Sequence, residues 1–138
     1  MPSVLLRDCV IPLQEAWVVV KAAYEMEFPE RQLVLTATHR TPEEQFHLFQ
    51  VGRVETAKGW VVDKDPTTRV LTGFDGATTL SKHNVRPSKA LDFCVVIGGK
   101  VSWHFPDYEV VGSMGESQGL IWGGRWPKLR DGPHFELP

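Results

Sequence analysis

The apolar residues of the first 40 positions fall into two patterns with different periods. Over residues 12–27 they recur at helical spacing, and Pro29 stops the pattern. The residues that share the apolar side of this predicted helix are Leu13, Trp17, Val20 and Tyr24. Residues 32–38 (QLVLTAT) are β-branched and apolar, which predicts a strand.

A second helix is predicted directly after residue 41, because the sequence there carries a complete set of start signals. Thr41 is suited to the N-cap, Pro42 to the first helical position and Glu44 to the third position of a capping box. Gly52 can end this helix. Residues 53–80 are then predicted to form a long loop with at most a short hairpin, and loops of this length usually serve function.

The C-terminal half is predicted to consist mainly of strands. Residues 90–97 (ALDFCVVI) indicate a buried strand, and Gly98-Gly99 predicts a tight turn into a second strand, KVSWHF. Residues 107–118 favour a helix that Gly112 and Gly115 weaken. Short strands are expected at 120–122 and 133–137. These elements predict an α+β fold, a small mainly antiparallel sheet with packed helices.

Length and charge narrow the function classes. The 138 residues suit one domain, so we expect residues 1–138 to form a single domain. A net charge of −2 disfavours a nucleic-acid partner. We expect no membrane insertion, because no apolar stretch approaches spanning length, and no signal peptide, because Arg7 and Asp8 interrupt the first apolar run.

Three potential metal ligands come from two segments. His83 precedes the strand of residues 90–97, Asp92 lies within that strand, and His134 lies in the last predicted strand. A carboxylate inside an apolar strand is costly unless it is paired or binds a metal. Two imidazoles and one carboxylate suit zinc with one position left open. A salt-bridged structural Asp92 is the alternative.

Two acidic residues near His134 are candidates for proton transfer. Asp131 precedes it by three residues and can act on water at the metal, although Asp-Gly-Pro is also a turn sequence. Glu136 shares the strand face of His134, which makes it a rival base or an outer partner of the histidine. Trp122 either lines a substrate groove or packs in the core.

These residues carry a family resemblance. The pattern S-x-H…A-x-D from Ser81 to Asp92, followed by W-G-G-R-W…D-x-P-H-F-E from Trp122 to Glu136, resembles the zinc peptidoglycan peptidases. This family comprises the D-Ala-D-Ala carboxypeptidases and the L-alanyl-D-glutamate endopeptidases, with many bacteriophage endolysins, and its scaffold is shared with hedgehog-type proteins. The segment THRTPEEQ resembles the family's upstream S-x-x-R-[ST]-x-x-x-Q motif.

The resemblance implies roles at the site. His83, Asp92 and His134 would bind Zn²⁺, and Asp131 would be the catalytic acid and base. Arg40 would stabilise the developing oxyanion or hold a substrate carboxylate, with Gln45 supporting it and Ser81 as an outer or substrate contact. One departure stands out. The family usually has seven residues from the first histidine to the aspartate, whereas His83 and Asp92 are nine apart. The extra residues either bulge as a loop and leave both ligands in place, or reshape the substrate rim, or indicate a degraded site.

The resemblance leaves several functions open. The resemblance implies that residues 1–138 are a single zinc peptidase catalytic domain without a separate cell-wall-binding domain. We expect an endolysin-like hydrolase that cuts the L-Ala–D-Glu bond of the peptidoglycan stem peptide, most simply as a monomer. It would be made in the cytoplasm of a host bacterium without a signal peptide and would act on the cell wall in phage lysis. The alternatives are a D-Ala-D-Ala carboxypeptidase or dipeptidase, and a non-enzymatic zinc-stabilised binding or virion module.

Overall fold

Three helices form in the described part of the chain. The computed structural model describes residues 1–65 and 67–138, and its helices are α1 (Ile11–Glu27), α2 (Pro42–Gln50) and α3 (Phe105–Ser117). The predicted capping box is present at the start of α2. The Thr41 hydroxyl accepts from the Glu44 amide, and the Glu44 carboxylate accepts from the Thr41 amide at 2.9 Å. This reciprocal pair fixes the point at which the chain leaves Arg40 and enters the helix.

The main sheet has five strands and is antiparallel throughout. The strands are β1 (Arg31–Ala37), β4 (Ala90–Ile97), β5 (Lys100–Ser102), β6 (Ile121–Trp122) and β7 (His134–Glu136). Their order is β1-β4-β7-β6, and β5 pairs with the far end of β4 beside β7. The predicted α+β class is therefore confirmed. The predicted strand KVSWHF pairs only over its first three residues, and α3 follows soon after it.

The core lies between the central strand β4 and the helices α1 and α3. Phe93 is fully buried and packs against Trp17 of α1 and Phe135 of β7, with ring centroids 5.4 Å and 5.0 Å away. Gly115, which lowers the helix propensity of α3, permits this packing, since a Cβ there would lie 2.1 Å from the Phe135 ring. The rigid core thus holds β4 and β7 side by side.

The segment after α2 contains the short hairpin that the sequence left open. It consists of β2 (Arg53–Thr56) and β3 (Gly59–Val62), and the described residues from Asp63 to Lys89 contain no further helix or strand. Arg53 anchors this long segment because its guanidinium donates to the backbone carbonyls of Phe49 and Thr72. Within the described residues, no helix has the length and apolarity needed to cross a bilayer.

Candidate metal centre

The pairing of β4 with β7 brings two of the predicted ligands together. Asp92 is directly opposite His134 in this antiparallel pair. Residues opposite each other in such a pair have neighbouring side chains on one face of the sheet. The Asp92 Oδ1 atom lies 2.8 Å from His134 Nδ1. Sheet register alone therefore explains two members of the site.

His83 reaches the same point from a turn before β4. In this turn the Ser81 amide donates to Asn84 Oδ1, and the Ser81 hydroxyl accepts from the His83 amide. The His83 Nδ1 atom lies 2.6 Å from the Thr38 carbonyl oxygen, to which it donates as N–H, and Nε2 is therefore the ring nitrogen that faces the other two residues. That Nε2 atom is 3.2 Å from Asp92 Oδ1 and 3.4 Å from His134 Nδ1.

The longer spacing between His83 and Asp92 forms a loop and leaves the two side chains in contact. The Lys89 amide donates to the Lys82 carbonyl at 3.0 Å and closes the loop at its base. Ser88 is buried and pairs with the segment before α1, since its amide donates to the Asp8 carbonyl and its carbonyl accepts from the Val10 amide. Of the alternatives for the extra residues, the structure shows a loop that keeps His83 and Asp92 together.

The three side chains suit a metal ion. His83 Nε2, Asp92 Oδ1 and His134 Nδ1 are two imidazole nitrogens and one carboxylate oxygen, and one ligand atom from each residue lies within 4.8 Å of the others. Both histidines are almost completely buried. In this setting two facing ring nitrogens and a carboxylate are satisfied together most simply by a cation with N and O preference, such as Zn²⁺.

Charge coupling within the group is strong. Burial raises the pKa of the Asp92 carboxyl, but the hydrogen bonds from His134 and His83 outweigh it and hold the pKa far below its usual range. Burial lowers the pKa of His134, whereas its hydrogen bonds to Asp92 and Glu136 outweigh that effect and raise the pKa to about 9. A cation that binds here must displace a proton from His134.

Asp131 stands at the open side of this group. Its Oδ2 atom lies 3.8 Å from His134 Nδ1, and its side chain is 44% exposed. Gly123 allows this position, because a Cβ there would lie 2.4 Å from the Asp131 carbonyl oxygen. Burial and then the charge of Asp92 raise the pKa of Asp131, while His134 opposes the rise. A carboxyl with a raised pKa is suited to both accepting and returning a proton.

Arg40 contacts the site through Asp92. Its NH2 group lies 3.2 Å from Asp92 Oδ2, the oxygen turned away from the histidines, and its NH1 group donates to Gln45 Oε1 at 2.8 Å. Gln45 is fully buried, accepts a bond from the Ser81 hydroxyl and donates to the Phe74 carbonyl. The predicted support of Arg40 by Gln45 is present, and Ser81 joins the same network.

Trp122 does not line the site. Its side chain is 2% exposed, its indole N–H donates to the Gly132 carbonyl at 2.8 Å, and its ring stacks on Phe105. A substrate does not reach such a side chain, so the groove-lining interpretation of Trp122 is corrected in favour of core packing. The aromatic residue beside the site is Trp126, whose ring centroid lies 5.0 Å from that of His134.

Two contacts around the histidines were missed from the sequence. The first is the Thr38 carbonyl that orients His83; it is a backbone group, so the identity of the residue gives no indication of the contact. The second is an ion pair between Lys82 Nζ and Glu136 Oε2 at 2.9 Å. The expected contact of Glu136 with His134 is present, with Oε1 lying 2.9 Å from Nε2. Lys82 occupies the unspecified position of S-x-H, where the motif gives no signal.

A buried group of two histidines and one carboxylate on an α+β scaffold, with a partly exposed aspartate beside it, is a donor set of the kind that metallohydrolases use. Comparison with known proteins agrees. Residues 75–137 match the family model described as D-alanyl-D-alanine carboxypeptidase. This region includes all three candidate metal ligands and Asp131. The search of curated proteins found no match.

Among solved structures, the L-Ala D-Glu endopeptidase ChiX of Serratia marcescens is similar to this chain. The TM-score is 0.66 at 21% sequence identity, and the alignment covers 96% of this chain and 83% of that one. The shared fold thus extends well beyond the region matched by the family model. Together the two findings confirm the resemblance to the zinc peptidoglycan peptidase family.

Proposed function

We propose that this protein is a zinc-dependent peptidoglycan hydrolase that cleaves the stem peptide at the L-Ala–D-Glu bond. The observation that carries the proposal is the convergence of His83, Asp92 and His134, with Asp131 3.8 Å from His134 on the open side. His83 Nε2, Asp92 Oδ1 and His134 Nδ1 would hold Zn²⁺. Zinc supplies Lewis acidity, which activates both water and a carbonyl group.

Asp131 is proposed as the group that moves the proton. It is exposed enough to meet a substrate and close enough to the ligands to act on water between them. As a carboxylate it takes a proton from the attacking water, and as an acid it returns that proton to the leaving amine. Its raised pKa favours the second half of this exchange.

Arg40 is proposed to provide positive charge where negative charge develops on the scissile carbonyl. Its side chain is 11% exposed, and two of its nitrogens are held by Asp92 and Gln45. A guanidinium fixed in this way is preorganised, so stabilising charge requires little rearrangement during the reaction. The alternative task, holding a substrate carboxylate, requires the same fixed position.

The choice of scissile bond rests on the structural likeness to an L-Ala D-Glu endopeptidase over 96% of this chain. The second candidate is a D-Ala-D-Ala carboxypeptidase, which the description of the matching family model favours. We further propose an endolysin-type role on the cell wall, in which residues 1–138 act as a monomeric catalytic unit without a nucleic-acid partner.

Product analysis tests the proposal. Purified peptidoglycan is digested with zinc-loaded protein, with chelated protein and with Asp131→Ala as controls, and the fragments are identified by mass spectrometry. Chelator-sensitive release of fragments with new D-Glu N-termini is the expected result. Release of terminal D-alanine alone would replace the endopeptidase by the carboxypeptidase. Bound zinc without cleavage of any bond would favour the non-enzymatic module.

A further inference from the structure

Lys82 links the two segments that carry the histidines. It directly precedes His83 in the chain, yet its side chain crosses to β7. There its ammonium group lies 2.9 Å from Glu136 Oε2 and also donates to the Leu137 carbonyl. The backbone follows the same route, since Lys89 pairs with Lys82 on one side and with Leu137 on the other.

Glu136 in turn decides which nitrogen of His134 faces the other ligands. Its Oε1 atom lies 2.9 Å from His134 Nε2. A carboxylate only accepts hydrogen bonds, so Nε2 must carry the proton in this contact. The proton that a metal displaces is then the one on Nδ1, and the lone pair that it leaves faces Asp92 and His83. Outer carboxylates fix histidine ligands in this way in many metal sites.

The orientation of Glu136 depends on Lys82. Within the described part of the chain, Lys82 is the only side chain that forms an ion pair or hydrogen bond with Oε2 of Glu136. Without it the carboxylate is free to turn away from His134 and into solvent. We infer that Lys82 is a positioning residue of the metal centre: it holds Glu136 against His134 Nε2, keeps Nδ1 turned towards Asp92 and His83, and thereby strengthens zinc binding.

This inference rests on the proposed zinc-dependent function, and the sign of the expected effect makes it testable. Removing a positive charge near a cation site favours the cation by Coulomb's law. Zinc competes with a proton on His134, and removing the positive charge favours zinc more than the proton because the zinc ion carries the larger charge. Electrostatics alone therefore predicts that loss of Lys82 tightens zinc binding, whereas loss of positioning predicts weaker binding.

The experiment compares Lys82→Met with Lys89→Met and Lys82→Arg. Lys89 is exposed and lies at the base of the same loop, so its substitution removes the same charge without touching Glu136. Zinc affinity is measured by competition with a chromophoric chelator. We expect Lys82→Met to bind zinc about tenfold more weakly, within the range found for outer partners of metal ligands. Lys89→Met should bind as the parent or slightly tighter, and Lys82→Arg should recover most of the loss.

Nitrogen chemical shifts of ¹⁵N-histidine-labelled, zinc-loaded protein give a second measurement. A protonated Nε2 on His134 is expected in the parent and in Lys82→Arg, with a mixed or altered state in Lys82→Met. Amide spectra of the same samples establish that each variant is folded. Zinc affinity of Lys82→Met equal to or tighter than that of the parent, with unchanged His134 shifts, would overturn the inference.

The inference and the proposed function fail in different ways. A parent protein that does not bind zinc would overturn both. A parent that binds zinc but cleaves no peptide bond would overturn the hydrolase and leave the Lys82 result standing. A parent that binds zinc and cleaves peptidoglycan, with Lys82→Met binding zinc equally well, would overturn the role of Lys82 alone.

Discussion

The turn that carries His83 and the strand that carries His134 bring chemically equivalent groups to one point by different means. His83 is oriented by a backbone carbonyl, that of Thr38, and its turn is fixed by Ser81. His134 is oriented by side chains, Glu136 and behind it Lys82. The backbone carbonyl of residue 38 remains when the side chain there is substituted, whereas a single substitution of Lys82 or Glu136 removes the ion pair. The strand side is therefore the more easily altered half of this site.

Removing either histidine has the largest expected effect, because the metal centre is lost whether the missing histidine was oriented by a backbone group or by side chains. His83→Ala and His134→Ala each leave two ligands, so we expect zinc to be absent after desalting and hydrolysis to fall to background. Metal content by elemental analysis checks the first expectation. His104→Ala is the matched control, because His104 is exposed and outside the group. Stoichiometric zinc in His83→Ala would exclude it as a ligand.

Asp131→Ala distinguishes proton transfer from metal binding, because Asp131 supports neither His83 nor His134. It leaves all three ligands in place, so zinc content should equal that of the parent. Turnover of peptidoglycan should fall by about 10²–10⁴-fold, the usual contribution of a general acid and base. An Asp131→Ala enzyme with full activity would contradict the mechanism and transfer the role of base to Glu136.

Gly123→Ala disturbs the strand side from outside. The new Cβ would lie 2.4 Å from the Asp131 carbonyl oxygen and 3.2 Å from the Cβ of His134, so one of these segments must move. We expect a loss of about 1–3 kcal/mol in the free energy of unfolding and a lower turnover, because overpacking shifts the backbone. Gly73→Ala is the control, since nothing lies within 4 Å of a Cβ there. Equal stability of the two variants would refute the close contact.

Gln45→Met disturbs the turn side. Gln45 is buried and bonded to Arg40, Ser81 and the Phe74 carbonyl, and methionine leaves these groups unpaired. The expected cost is about 1–3 kcal/mol in the free energy of unfolding, measured by denaturant titration. Gln118→Met, on an exposed residue, should change stability little. An undiminished stability of Gln45→Met would show that the network contributes nothing.

The smallest expected effect is a pH dependence of the thermal stability, which arises from His134 on the strand side. The pKa of His134 is raised from 6.5 to about 9 in the metal-free protein. Stability from this proton is therefore fully present below pH 6.5 and is lost as the pH rises through about 9. The Tm of metal-free protein should fall between pH 7 and 10 by more than that of zinc-loaded protein, in which His134 has already lost the proton. Parallel Tm curves would contradict the assignment.

Much of the frame could be read from local patterns. The capping box at Thr41 and Glu44 and the apolar run of β4 depend only on neighbouring residues, and they appear where predicted. The helix α3 begins earlier than predicted, at Phe105, and tolerates its glycines because Gly115 packs against Phe135. That benefit involves another strand and cannot be seen within the helix sequence.

The site divides in the same way. The meeting of His83, Asp92 and His134 could be predicted because a charged residue in an apolar strand and two histidines in the order of a known motif are strong signals. The position of Trp122 could not, since core and groove both accept an aromatic ring and only packing decides. The contact of Lys82 with Glu136 could not be predicted for a related reason: the two residues are far apart in the sequence, and only the fold brings them together.

The loop between His83 and Asp92 has a consequence for how such sites are sought. Because Lys89 closes it at the base and Ser88 ties it to Asp8 and Val10, residues can be added inside the loop without moving either ligand. A search pattern with a fixed gap between the first histidine and the aspartate would therefore reject this chain. Patterns that require the two anchors and leave the gap open would recover it, and with it other chains whose loops have grown.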